Sequence, residues 1–184
     1  LSLVPPIYLG GYYHFPSKQW LETFQSLYRM VDGVLDKVNQ IKCLEIDKCV
    51  DSVGVHVRRG DYLKNQKIYG IDTDTYYKNA IVKIKQIIEN PVFFYFSNDM
   101  EWVRENMGDK NRDYYIDWNV GERSFLDMYL MSKAKANIIA NSTFSYWAAY
   151  LNENNAIVIY PKEWYNKNCT EKSPAIFYEN WIAI

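Results

Sequence analysis

Apolar positions along the chain recur at two different periods. Trp20, Leu21, Phe24, Leu27, Tyr28, Val31 and Val34 fall at three- and four-residue steps. That spacing predicts an amphipathic helix capped by Ser17, with Gly33 as a break point. Residues 1–16 are rich in Pro and Tyr and read as loop, and residues 42–51 read as a connection. Beyond them, short β-branched or aromatic runs take over: SVGVHV (52–57), VFFYFS (92–97), DYYID (113–117), ANIIA (136–140) and AIVIY (156–160). Between these runs the helical step returns, at 72–90 with Asp72 or Thr73 as N-cap, at 98–106, at 122–134, and at 142–152 opening on Ser142 or Thr143. Strands alternating with helices predict an α/β fold: a Rossmann-like parallel sheet with helices on both faces, preceded by a helical segment. The expected organisation is a loop and helical linker over 1–50 and the α/β domain over 51–184.

In open α/β sheets a ligand sits beyond the carboxyl ends of the strands. The residues there are Arg58-Arg59-Gly60-Asp61, Ser97-Asn98-Asp99 and Asn141-Ser142-Thr143, which would form one polar rim. Guanidinium forks match phosphate oxygens and keep their charge. A helix opening at Ser142 would add free N–H groups and the positive end of its dipole. The combination suits a phosphate or diphosphate bound without a metal. Strand alternation puts His56 and Arg58 on one face and Arg59 on the other. Arg58 is therefore the phosphate candidate, and Arg59 the anchor for the loop or the partner of a carboxylate.

Each of these residues also has a plainer reading. Both arginines could form surface ion pairs with Asp61 or Asp99, and His56 could be a satisfied core histidine. Asp61 could be a base, a turn residue or an arginine orienter. Asp127, mid-helix, could accept the N1–H and N2–H donors of a guanine or simply face solvent. Arg59-Gly60-Asp61 also spells an adhesion tripeptide, an improbable use directly after a buried strand.

Bulk properties narrow the class. A chain of 184 residues suits one domain with an extension. The net charge of −1 argues against a broad nucleic-acid field, so no nucleic-acid partner is expected. The 17 Tyr and 6 Trp fit a large core or a surface for sugars or bases equally well. Cys43, Cys49 and Cys169 form no CxxC pair and the two His are far apart, so neither a metal site nor a disulfide is expected. No apolar run approaches the roughly 18 residues of a membrane span. Asn141-Ser142-Thr143 fits a glycosylation sequon, which carries no such meaning in a cytoplasmic chain.

The segments HVRRGDY, FFYFSNDMEWVREN and DMYLMSKAKANIIANSTFSYWAAYLN resemble the three characteristic blocks of the α-1,2-fucosyltransferases, glycosyltransferase family 11. YLGGYYHFPSKQW and the tail YPKEWYNK…ENWIAI extend the resemblance over nearly the whole chain. It implies an enzyme moving L-fucose from GDP-β-L-fucose to the 2-hydroxyl of a galactoside, with inversion and without a metal cofactor. It implies a GT-B-like fold of which this chain resembles the C-terminal, donor-binding half. Arg58 would then bind the β-phosphate, and His56 would contact the nucleotide side or support that arginine. Asn141, Ser142, Thr143, Phe144 and Ser145 would surround the phosphates, and Asp127 would read guanine. Asp61 is the candidate base of the first block.

The sequence departs from the family in lacking its glycine-rich opening segment, and it carries Tyr146 where Trp is usual. It begins well inside the family's length, so a GDP- or GDP-fucose-binding fragment that transfers nothing is the alternative expectation. Lys-, Asn- and Ile-rich composition suggests an AT-rich bacterial gene, hence surface-glycan synthesis in the cytoplasm, with peripheral attachment to the inner membrane open. The pattern assigns no oligomeric state.

Overall fold

The computed structural model describes residues 33–71, 73–154, 156–170 and 177–184. The helix expected from Ser17 lies mostly outside them. Strand β1 (Ser52–Val57) is buried on both faces, as its near-continuous apolar run dictates. It pairs in parallel with β2 (Val92–Ser97) on one side and β4 (Ala136–Ile138) on the other. β3 (Tyr114–Ile116) flanks β2, and β5 (Ile157–Tyr160) and β6 (Ile182–Ala183) extend the sheet beyond β4. The spatial order is β3-β2-β1-β4-β5-β6. This order reverses direction between β1 and β4, the topological switch point at which doubly wound sheets open a crevice.

Helices cover both faces. Val53, Val55 and Val57 pack against Tyr76, Tyr77, Ala80 and Ile84 of α3 (Thr73–Ile87) and Met100 and Val103 of α4 (Met100–Asn106). On the opposite face, Phe94, Phe96 and Ile116 meet Ile46 of α1 (Lys37–Lys48), Leu130 and Met131 of α5 (Phe125–Met131) and Ala148 of α6 (Thr143–Tyr150). Phe94, Tyr95 and Phe96 are essentially inaccessible to solvent, and burying side chains of this size contributes about 1.5–3 kcal/mol each. Gly54 sits between these strands because a Cβ there would come within 2.6 Å of Asn137 Oδ1.

Gly33 adopts φ +83°, a left-handed conformation suited to glycine, and α1 begins shortly after it. Asp36 caps α1 by accepting a hydrogen bond from the Asn39 backbone N–H. The helix continues to Lys48, so the connection expected over 42–51 is instead mostly helical. The reason is that α1 turns Ile46 and the polar Asn39 inward and leaves Val38, Ile41 and Leu44 exposed, which hides its period. The other elements match the sequence reading to within a few residues. β6 and a helical excursion after β1 are additions. That excursion comprises a 3₁₀ turn at Tyr62–Asn65 and the short α2 (Gln66–Tyr69). All three cysteines are free thiols.

Candidate functional site at the carboxyl edge of the sheet

The three polar clusters do meet in one rim, and Asn98 ties two of them together. Its Oδ1 accepts from the backbone N–H of Arg59 (3.0 Å) and Gly60 (3.3 Å), and its Nδ2 donates to Asp61 Oδ1 (3.1 Å). Ser97 Oγ donates to the Val57 carbonyl and accepts from the Asp99 N–H, fixing the exit of β2 against the exit of β1. Tyr62 Oη donates to the Asn141 carbonyl, which joins the third cluster to the first.

The arginines part company as alternation predicts. Arg59 turns toward α4, with its Nε 3.3 Å from Asp99 Oδ2 and its guanidinium 4.1 Å from the Trp102 ring centre. It is an anchor. Arg58 stays at the rim: Nη2 donates to Asp61 Oδ2 at 2.8 Å, and the guanidinium lies 5.6 Å from the Tyr62 ring centre. The buried Arg58 Nε has no hydrogen-bond partner. Asp61 is thus held by two side chains. Burial pushes its pKa up, but the hydrogen bond and charge of Arg58 outweigh that, and the net shift is downward. A carboxylate held in that way orients an arginine well and accepts protons poorly. The adhesion reading also loses ground, because both charged members of Arg59-Gly60-Asp61 are engaged in ion pairs.

His56 is buried, with its ring 5.1 Å from that of Phe144 and its carbonyl accepting the Tyr77 hydroxyl. Burial, and then the charge of Arg58, lower its pKa to about 3, so the ring is neutral beside the arginine. At the start of α6, Ser142 Oγ accepts from the Phe144 N–H, and Ser145 Oγ accepts from the Ala140 N–H while donating to the Ser142 carbonyl. Asn141 is buried, and its Nδ2 donates to the carbonyls of Tyr69 and Trp164. These three side chains therefore shape the turn, which also makes the sequon inaccessible. Thr143 is exposed at the helix start, where its hydroxyl and backbone N–H are the donors an anion would meet, the Phe144 N–H being taken by Ser142.

Asp127 is not a solvated helix residue. It lies in the first turn of α5, where Asn119 Nδ2 donates to its Oδ1 at 2.7 Å. Asn119 and Asn39 exchange a reciprocal pair of amide hydrogen bonds, and Trp118 Nε1 also donates to Asn39 Oδ1. Burial raises the Asp127 pKa to about 7; the Asn119 hydrogen bond opposes this and the charge of Asp117 assists it. Asp127 thus belongs to a network linking α5 to α1, separate from the Arg58–Asp61 pair.

The 62–69 excursion carries residues the sequence reading missed. With the start of α3 it lines a half-open groove of about 370 Å³, bordered by Arg58, Arg59, Tyr62, Leu63, Ile71 and Asp74 among others. Its amino-acid signal is slight: YLKNQKIYG is too short and polar for a period, and Asn166, which pins it, lies far along the chain. Among the described residues, no group of three or more His, Cys, Asp or Glu side chains is placed to hold a metal ion, and no helix is long and apolar enough to cross a membrane.

A parallel sheet of this order, with an arginine and a capped helix start beyond the ends of its central strands, defines a Rossmann-like α/β domain. Comparison with known proteins narrows the class. The model of glycosyl transferase family 11 matches residues 5–184, and the chain belongs to that family. An alpha-1,2-colitosyltransferase of Escherichia coli is 38% identical over 175 residues, covering 91% of this chain and 59% of the relative. The O-antigen biosynthesis glycosyltransferase WbnK of Escherichia coli is 33% identical over 164 residues, covering 86% and 53%. A galactoside alpha-(1,2)-fucosyltransferase 1 of Leontocebus fuscicollis is 34% identical over 140 residues, covering 72% and 38%. The chain spans less than two thirds of the length of each of these relatives.

Proposed function

We propose that the rim binds the diphosphate of GDP-β-L-fucose and that the whole protein transfers L-fucose to the 2-hydroxyl of a galactoside, inverting the anomeric centre. The carrying observation is the position of Arg58, held by Asp61 at the end of β1 and joined through Tyr62, whose hydroxyl donates to the Asn141 carbonyl, to the segment that opens α6. The names of the relatives, two of them α-1,2-transferases of fucose or colitose, support the same reading. Both sugars are 6-deoxyhexoses, colitose being fucose without its 3-hydroxyl.

Each residue then has a part in the chemistry. As the bond between anomeric carbon and β-phosphate oxygen breaks, the electron pair leaves with GDP, the sugar gains oxocarbenium character, and the acceptor 2-hydroxyl oxygen bonds to the opposite face of that carbon while its proton passes to solvent or to a base of the whole protein. Arg58 and the Thr143 N–H and hydroxyl stabilise the charge on GDP, so no metal ion is required. Removing one such fixed donor typically costs about 10²–10³ in rate. Neutral His56 supports Arg58 without adding a second buried charge. Asp61 positions the guanidinium, and Asp127 in its ionised form accepts the guanine N–H donors.

The test is incubation of the protein with GDP-L-fucose and a β-galactoside, with the product linkage read by NMR. An α-1,2-linked product, with GDP release that requires the galactoside, is expected. GDP binding without any transfer would favour the second reading, a module that holds the nucleotide sugar but does not move it.

A further inference from the structure

We propose that the groove beside Arg58 seats the sugar ring of the donor, and that Leu63 and Ile71 form the surface receiving its C6 methyl group. This rests on the reading of the rim as a nucleotide-sugar site. Arg58 lines both the rim and the groove. A sugar attached to a phosphate held by Arg58 is covalently adjacent to it, and the groove that Arg58 also lines is within its reach.

The lining has the chemistry of a deoxysugar site. Besides the guanidinium groups of Arg58 and Arg59, Tyr62, Gln66, Thr73 and Asp74 offer a ring face, hydroxyls, an amide and a carboxylate. Leu63 and Ile71 interrupt that polar lining, and Leu63 is 44% exposed. An apolar side chain open at the mouth of a polar groove gains from covering by a methyl group. A hydroxymethyl group there gains less, because covering Leu63 takes part of the added hydroxyl out of water.

The walls are fixed before any ligand arrives. Asn166 Nδ2 donates to the carbonyls of Gln66 and Gly70, both at 3.0 Å, and its N–H donates to the Ile68 carbonyl at 2.7 Å. Tyr62 and Tyr69 stack with ring centres 4.4 Å apart and planes inclined by 14°. Gly70 closes the turn so tightly that a Cβ would lie 2.3 Å from the Gln66 carbonyl oxygen. A preformed wall discriminates between ligands with little cost of ordering.

The discriminating pair of ligands is GDP-L-fucose and GDP-L-galactose, which differ only by the C6 hydroxyl. Calorimetric titration of the 184-residue protein with each, and with GDP, is the test. We expect GDP-L-fucose to bind about 10- to 100-fold more tightly than GDP-L-galactose, the upper figure being the scale on which an apolar pocket rejects an added hydroxyl. Leu63→Asn and Ile71→Asn should bring the ratio close to one while leaving GDP affinity unchanged, with melting checked in each. An unchanged ratio in both folded variants, with GDP still bound, would overturn the groove assignment and leave the nucleotide reading intact. Failure of the unaltered protein to bind GDP at all would overturn both.

Discussion

His56 and Asp127 should make opposite contributions to the pH dependence of stability, and they should cancel. Burial lowers the His56 pKa from 6.5 to about 3. Between those values the unfolded chain holds a proton that the native chain does not, so this residue makes stability rise with pH. Burial raises the Asp127 pKa from 3.8 to about 7. Between those values the native chain holds a proton that the unfolded chain has lost, so this residue makes stability fall with pH. Each contributes about 1.4 kcal/mol per pH unit, with opposite sign, where the two windows overlap between about pH 4 and 6.5. Asp127→Asn keeps the acceptor for Asn119 and removes the falling limb. Urea denaturation at about pH 4.5, 5.5 and 6.5 should then give a difference between variant and parent that favours the variant by about 2 kcal/mol more at the upper end than at the lower. His56→Gln should give a difference of similar size running the other way. Differences that do not change with pH would refute the burial argument for both residues.

Three further outcomes follow from the same geometry. If ionised Asp127 accepts guanine N–H groups, GDP binding at about pH 6 must release a proton and strengthen toward about pH 8; titration in two buffers of different ionisation enthalpy measures this, and zero release excludes the contact. Arg58→Ala should weaken GDP binding by about 10- to 100-fold, the loss of a charge-assisted hydrogen-bond donor, whereas Arg59→Ala should leave GDP affinity nearly unchanged and cost about 1–2 kcal/mol of stability from its contact with Trp102 and Asp99. Equal loss of affinity with unchanged melting in both variants would contradict the division of roles. Gly54→Ala should destabilise by about 1–3 kcal/mol, because its Cβ would press on the buried Asn137 side chain; a melting temperature equal to that of the parent would count against it.

Much of this arrangement was legible in the amino-acid order, for reasons that can be named. Val53, Val55 and Val57 alternate with His56, and that two-residue period alone divided Arg58 from Arg59 before any contact was seen. The strand ends, each an apolar run stopping at a polar cluster, located the rim. The helix start was readable to within one residue, Ser142 or Thr143, because side-chain acceptors directly precede a helical pattern, and the structure makes Ser142 the cap.

What escaped depends on contacts that no local period encodes. α1 buries Asn39 against Asn119 and exposes Val38, Ile41 and Leu44, the reverse of the rule by which helices are read. β6 is a two-residue strand held by Ile159 and Tyr160. The groove wall over 62–71 takes its shape from Asn141 and Asn166, which are distant in sequence. Asp127 was picked out by its carboxylate, but its burial and its bond to Asn119, eight residues earlier and tied in turn to Asn39 of α1, are not local in the pattern.

The most direct test of the account is calorimetric titration of the 184-residue protein with GDP and with GMP, in buffer containing a chelator. A rim built on Arg58 and the start of α6 binds the diphosphate, so GDP should bind one to one without added metal and GMP much more weakly. Equal affinity for GDP and GMP, or binding of GDP only when a divalent cation is restored, would contradict the assignment of the diphosphate to these residues.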